Sequence, residues 1–137
     1  MDKVDEIQRL IADKTGLTIS EVAMDRDIDI DLGCTGDDFH ELMQEYSSVF
    51  QVDMSSYLWY FHTEEEGQNV GSFFFKAPND RVEHIPVTPQ LLVDCANKGR
   101  WAVAYPAHKL LKRRYDILIN QLLAGLLICF IIYKCTR

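Results

Sequence analysis

Several common catalytic signatures are missing from the 137 residues. No G-x-S-x-G, P-loop or dinucleotide-binding glycine pattern occurs, which excludes the glycine-framed nucleophile and phosphate sites of familiar enzymes. The four cysteines, Cys34, Cys95, Cys129 and Cys135, form no C-x-x-C pair. They support neither a zinc site nor a small disulfide scaffold, and a reducing compartment is the simpler reading. His40, His62, His84 and His108 lie far apart and lack the H-x-x-x-H spacing of a metal site. Nothing recommends a Cys–His nucleophile, because acidic neighbours should raise the Cys34 thiol pKa. The sequence points to no catalytic residue, no metal and no cofactor.

Basic residues are scarce where the acids collect. Lys and Arg number 14 against 21 Asp and Glu, a net charge of −7. Residues 1–66 hold 17 acids and 4 bases, a net of −13, whereas residues 67–137 hold 4 acids and 10 bases, a net of +6. Nucleic acid is excluded as a general partner, since phosphate affinity needs a basic face. Hydrophobic residues make up 47%, enough for a globular chain and too many for a disordered one. The length allows one compact domain and little more.

Much of that hydrophobicity belongs to one run, YDILINQLLAGLLICFIIY, from Tyr115 to Tyr133. Seventeen to nineteen residues at ~1.5 Å each reach about 26–28 Å, just enough for a bilayer core. Leu122, Leu123, Leu126, Leu127, Ile128, Phe130, Ile131 and Ile132 occupy every helical face, with no polar stripe. Lys109, Lys112, Arg113 and Arg114 precede the run, and only Lys134 and Arg137 follow it. That bias predicts a single-pass helix in the cytoplasmic (inner) membrane with the N-terminal domain in the cytoplasm. Tyr115 and Tyr133 suit the two interfaces, and the position in the chain is wrong for a signal peptide. Asn120 and Gln121 either reach lipid headgroups or bond a partner helix, each such bond averaging below about 1 kcal/mol. The alternative is a helix buried in a larger complex.

The acidic part reads as helices. Val4, Ile7, Leu10 and Ile11 repeat at helical spacing between Asp2, a possible cap, and Gly16, a stop. A second helix is expected from Thr35, whose hydroxyl pairs with Asp38 in a capping-box-like arrangement. Its apolar face is Phe39, Leu42, Met43, Tyr46, Val49 and Phe50; Asp37, Asp38, Glu41 and Glu45 face outward near the start, where negative charge suits the helix dipole. Thr88, Pro89 and Gly99 bracket a third helix with Leu91, Leu92, Cys95 and Ala96 inward. Between the second and third, YLWYF at 57–61 and VGSFFF at 70–75 flank HTEEEGQN and predict an aromatic β-hairpin. Its rings either complete a small core or present a partner-binding surface.

Helix, long loop, Leu32-Gly33, then a helix carrying Glu41-Leu42 and ending at Phe50, with Val87-Thr88 to Ala96 later, resembles the acyl carrier proteins. That resemblance implies a three-helix unit with the hairpin inserted at about 57–86. It also implies an acidic helix, Asp37, Asp38, Glu41 and Glu45, that docks a basic protein partner by electrostatic encounter. The alternative for that face is plain solvation. Gly36 stands where carriers have the serine that takes phosphopantetheine, so no phosphodiester can form there; Thr35, on the carriers' aspartate, reads as a cap. A narrower resemblance is to a small family of uncharacterised enterobacterial proteins. It is carried by Asp31-Leu32-Gly33-Cys34-Thr35-Gly36-Asp37-Asp38 and by Pro86-Val87-Thr88 running to Gly99-Arg100-Trp101, with Val87 where the family favours Leu. It covers roughly residues 3–101 and implies no activity.

One further pattern is the alternation of Asp25, Asp27, Asp29 and Asp31. Asp27, Asp29, Asp31 and Asp38 map on positions 1, 3, 5 and 12 of a calcium loop, but Leu32 replaces the turn glycine and Asp38 the usual Glu. Calcium stays open for residues 25–38. The plainer expectation is an extended loop with Ile28, Ile30 and Leu32 inward and the aspartates solvated. The fold expected is therefore mainly α: an acyl-carrier-like three-helix unit (1–101) with an inserted β-hairpin, a basic linker (102–114), a transmembrane helix (115–133) and a short tail (134–137). The function expected is a non-catalytic, membrane-anchored interaction domain. The alternatives are a carrier-type role in lipid metabolism and a soluble subunit whose C-terminal helix packs in a complex. Whether the chain associates with itself is left open.

Overall fold

Three amphipathic helices, α1 (Lys3–Thr15), α2 (Gly36–Phe50) and α3 (Pro89–Lys98), enclose the core of the computed structural model, which describes residues 2–137. A fourth, α4 (Tyr115–Thr136), stands outside that core. Ile7 and Ile11, one turn apart on α1, are fully buried. They meet Phe39, Leu42, Met43 and Tyr46 of α2 and Leu92, Val93, Cys95 and Ala96 of α3 in one cluster. The Tyr46 hydroxyl donates to the Leu92 carbonyl at 2.6 Å and ties α2 to α3. Val49 departs from the expected face: it lines an open surface groove with Lys14, Glu45 and Ser48.

Helices α1 and α3 end where their own residues dictate. Gly16 takes the left-handed conformation at φ 74° and its N–H closes on the Ala12 carbonyl. The Thr88 hydroxyl accepts the Leu91 N–H, Pro89 fills the first position, and Gly99 stops the helix. The start of α2 differs from expectation, because Thr35 makes no side-chain cap bond. The Gly36 N–H instead donates to Thr63 Oγ1 at 2.9 Å and the Asp37 N–H to Glu66 Oε1 at 3.2 Å. The cap comes from the insertion, 27 residues away at Thr63. Asp2 likewise makes no side-chain cap bond at α1.

The expected hairpin does not form; among the described residues there is no strand, only an isolated bridge between Asp53 and Arg100. The aromatic runs make 3₁₀ turns at Trp59–Phe61 and Val70–Phe73, and a third lies at Pro78–Arg81. Their backbone groups are engaged elsewhere: the Phe61 carbonyl accepts the Ile85 N–H at 2.7 Å, and the Gly71 N–H donates to Asn120 Oδ1 at 2.7 Å. A two-stranded ladder has no claim on groups already bonded.

The two runs also separate by burial. Phe61 is buried with His62, and Tyr57 stacks on His62 at 5.6 Å while meeting Trp101 edge-on at 5.1 Å. Phe73 and Phe74 are exposed. The first run completes the core and the second lies on the surface. Tyr105, half-buried, joins this group. Its hydroxyl accepts the Trp101 Nε1–H and the Leu58 N–H and donates to His62 Nε2 at 2.7 Å. His62 Nδ1 then carries the proton, donated to the Ile85 carbonyl at 2.8 Å. Burial lowers the His62 pKa to about 4, against the smaller upward pull of that carbonyl.

Candidate functional site

Helix α2 presents Asp37, Asp38, Glu41 and Glu45 to solvent. Residues 37, 41 and 45 follow the four-residue spacing that aligns side chains on one helix face. One of them is partnered: Glu45 Oε2 lies 2.8 Å from Lys14 Nζ on α1. Beneath the first turn, Cys34 is buried and its thiol pKa is raised to about 11, by burial first and the Asp38 charge second. The thiol therefore stays protonated and poorly nucleophilic.

The position before Asp37 is closed. Gly36 has φ +58°, a backbone that side chains rarely adopt, and a Cβ there would meet the Glu66 side chain. Glu66 occupies that space because its carboxylate caps α2.

The acidic loop is folded into turns rather than extended. The Asp31 and Leu32 N–H groups both donate to the Asp27 carbonyl, so the two-residue alternation is lost. Ile28 is buried and Leu32 half-buried, but Ile30 is exposed, while Asp27 and Asp29 are buried. Their carboxylates are used within the chain. Asp27 takes the Asp29 N–H at 3.1 Å and pairs with His84 Nε2 at 2.5 Å; Asp29 accepts the Thr63 hydroxyl at 2.7 Å. Burial raises the Asp29 pKa, opposed by that hydroxyl. Asp38 stands exposed on α2, and among the described residues no three His, Cys, Asp or Glu side chains converge as metal ligands.

A second constellation joins α4 to the domain. Asn69 Nδ2 donates to Asp116 Oδ2 at 2.8 Å, and Asn120 Nδ2 donates to Asn69 Oδ1 at 2.7 Å. Arg114 grips the Asp116 carboxylate through Nε at 2.9 Å and Nη2 at 2.5 Å, and Glu65 through Nη1 at 2.7 Å. These carboxylates, Asp116 first, hold the guanidinium pKa above its usual value. Asp116 is 2% exposed, and Gly71 lies so close to its backbone that a Cβ would collide. Of the four cations expected at the membrane flank, Lys109, Lys112 and Arg113 are exposed, whereas Arg114 belongs to this junction. Asn120, expected to face headgroups or a partner helix, is engaged by its own chain.

A family model described as a protein of unknown function (DUF1493) matches residues 2–104. The chain belongs to this family. The DUF1493 region takes in α1 to α3 and the whole insertion but stops before Tyr105, the linker and α4. No curated protein and no solved structure matches the chain. Asn69 and Gly71 lie inside the DUF1493 region, while Asp116 and Asn120, which hold them, lie beyond it.

Sequence reasoning missed Thr63, Glu66, Asn69 and Asp116. Signals were present for two of them. Asp116 is an acid at the head of an apolar run, and polar groups there call for a partner. Asn69 precedes a glycine by two residues in a turn-forming stretch. Nothing local distinguishes Thr63 or Glu66.

Proposed function

We propose that the chain is a non-catalytic interaction domain held at the cytoplasmic membrane by α4, with residues 2–114 on the cytoplasmic side. The observation that carries this reading is α4 itself. Its 22 residues are long and apolar enough to span a bilayer, and its side chains from Leu122 to Ile132 stay exposed instead of packing on the domain. Soluble proteins rarely leave so continuous an apolar surface uncovered. Lys109, Lys112 and Arg113 before the helix, against Lys134 and Arg137 after it, support the orientation.

The acidic α2 face is the partner surface in this reading. Asp37, Asp38 and Glu41 present carboxylates to a basic groove, as in carriers, without a prosthetic group. Gly36 and the Glu66 side chain beside it support the absence of a phosphopantetheine site. Cell fractionation tests the anchor. The full chain should sediment with membranes, resist an alkaline wash and be released by detergent. Recovery in the high-speed supernatant would overturn the anchor in favour of a helix that packs in a soluble complex. Crosslinking from native membranes tests the face: Asp37→Lys, Asp38→Lys, Glu41→Lys and Glu45→Lys together should abolish partner recovery. Unchanged recovery would leave a solvated helix face. Coexpression with a phosphopantetheinyl transferase should leave the intact mass unchanged, and a gain of one phosphopantetheine would restore the carrier reading.

A further inference from the structure

The Val70–Phe73 turn is clamped to the first turns of α4. Asn120 takes the Gly71 N–H at 2.7 Å, Asn69 bonds both Asp116 and Asn120, and the Phe75 ring lies 5.3 Å from that of Tyr115. The segment therefore runs beside the helix from Tyr115 to Asn120, about 7.5 Å of its axis at ~1.5 Å per residue. Gly71 makes this approach possible, since any side chain there collides with the Asp116 backbone.

The clamp leaves the neighbouring rings facing outward. Phe73 is 89% exposed and Phe74 66%, and their rings lie edge to face at 5.8 Å. Water is a poor solvent for such a cluster. The boundary of a bilayer is a better one. The apolar run from Ile117 to Tyr133 covers ~26 Å against a hydrocarbon core of ~30 Å, so its first turns lie at the boundary between acyl chains and headgroups. Apolar groups of interfacial elements enter that boundary by ~5–10 Å.

Charge agrees with this placement. Lys76 directly follows the phenylalanines and lines a cleft of about 50 Å³ with Arg81, Arg113, Leu110 and Leu111. Arg114 borders the same cleft but is spent on Asp116 and Glu65. The other carboxylates of the region, Glu64, Glu66 and Asp80, line a separate cleft. Basic side chains that share the Lys76 cleft, next in sequence to the exposed aromatics, match an anionic leaflet.

We propose that Phe73 and Phe74 form a fixed aromatic wedge seated in the leaflet that α4 enters, with Lys76, Arg81 and Arg113 taking anionic phospholipid headgroups beside it. The proposal rests on α4 spanning the bilayer. It makes the domain's orientation on the membrane fixed rather than tethered, because the wedge and the helix are two contacts held together by Asn69, Asp116 and Asn120.

The full chain carrying Phe73→Trp, reconstituted in vesicles of phosphatidylcholine and phosphatidylglycerol, tests this. Wild-type chain supplies the background from Trp59 and Trp101. Acyl-brominated lipid should quench the introduced indole and its emission should be blue-shifted, with quenching stronger as phosphatidylglycerol increases. Adding Lys76→Gln and Arg113→Gln should remove that dependence on anionic lipid. Co-flotation of the chain with vesicles, but an indole quenched by aqueous acrylamide and not by bromine, overturns the wedge and leaves the anchor standing. Protection from both quenchers overturns it in favour of coverage by a second copy. Failure of wild-type chain to co-float at all removes the anchor, and the wedge with it.

Discussion

Helices α3 and α4 place similar kinds of residues in opposite circumstances. The ten residues of α3 carry their own start and stop, and Leu92, Val93, Cys95 and Ala96 are buried against α1 and α2. The 22 residues of α4 are apolar on all faces, yet Asp116 is its one buried residue. The number of apolar side chains does not set a helix's environment; their distribution around the axis does. One stripe selects a protein core, and a full circumference selects a lipid or a partner that surrounds it.

Breaking the two helices' surroundings should therefore give separate failures. The largest effect belongs to the core. Phe39→Ala should cost the domain about 3–5 kcal/mol, read as a lowered urea midpoint, while leaving membrane recovery through α4 unchanged. The acid side of the stability curve should also be a property of the domain. The folded-state pKa of His62 is about 4 against an ordinary 6.5, so the unfolded chain binds the extra proton between these values. Stability is full above pH 6.5 and falls as pH drops toward 4, by roughly 3 kcal/mol. Urea unfolding followed at pH 7 and near pH 4.5 checks this.

The reciprocal experiment strikes α4. A Leu126→Lys substitution at mid-helix opposes insertion by about 2.5–3.5 kcal/mol and should move protein to the soluble fraction without changing the domain's urea midpoint. Smaller is the effect of removing the insertion's cap on α2. Thr63→Val orphans both the Gly36 N–H and the Asp29 carboxylate and should cost about 1–3 kcal/mol; faster amide exchange in the first turn of α2 locates the loss. Smallest is Glu45→Gln. It breaks a solvent-accessible pair with Lys14 and should leave the urea midpoint almost unchanged, with any residual difference erased by added salt.

What could be read without coordinates was local. Gly16, Thr88, Pro89 and Gly99 act within a turn of themselves, so the ends of α1 and α3 were legible. The apolar stripe of α2 was legible from Phe39 to Tyr46 and failed at Val49, which lines an open groove. In the insertion, two aromatic runs around a polar stretch fit the pattern of a hairpin. Its real partners are remote: Tyr105 lies 43 residues from His62 and Asn120 lies 49 from Gly71. The acidic loop failed for a similar reason, since Asp27 and Asp29 are drawn inward by His84 and Thr63. The outward placement of Asp37, Asp38, Glu41 and Glu45 was legible because helical spacing alone determines it.

By itself, the sequence determined the helices, the acidic face of α2 and an apolar terminal segment long enough to span a bilayer. Periodicity and capping need no neighbours. The tertiary structure alone decided that Glu66 fills the space at Gly36, and that Asn69, Asp116 and Asn120 lock α4 to the Val70–Phe73 turn beside exposed phenylalanines. A buried carboxylate or a free backbone N–H takes whichever partner the fold brings within hydrogen-bond reach, and no pattern along the chain encodes that choice.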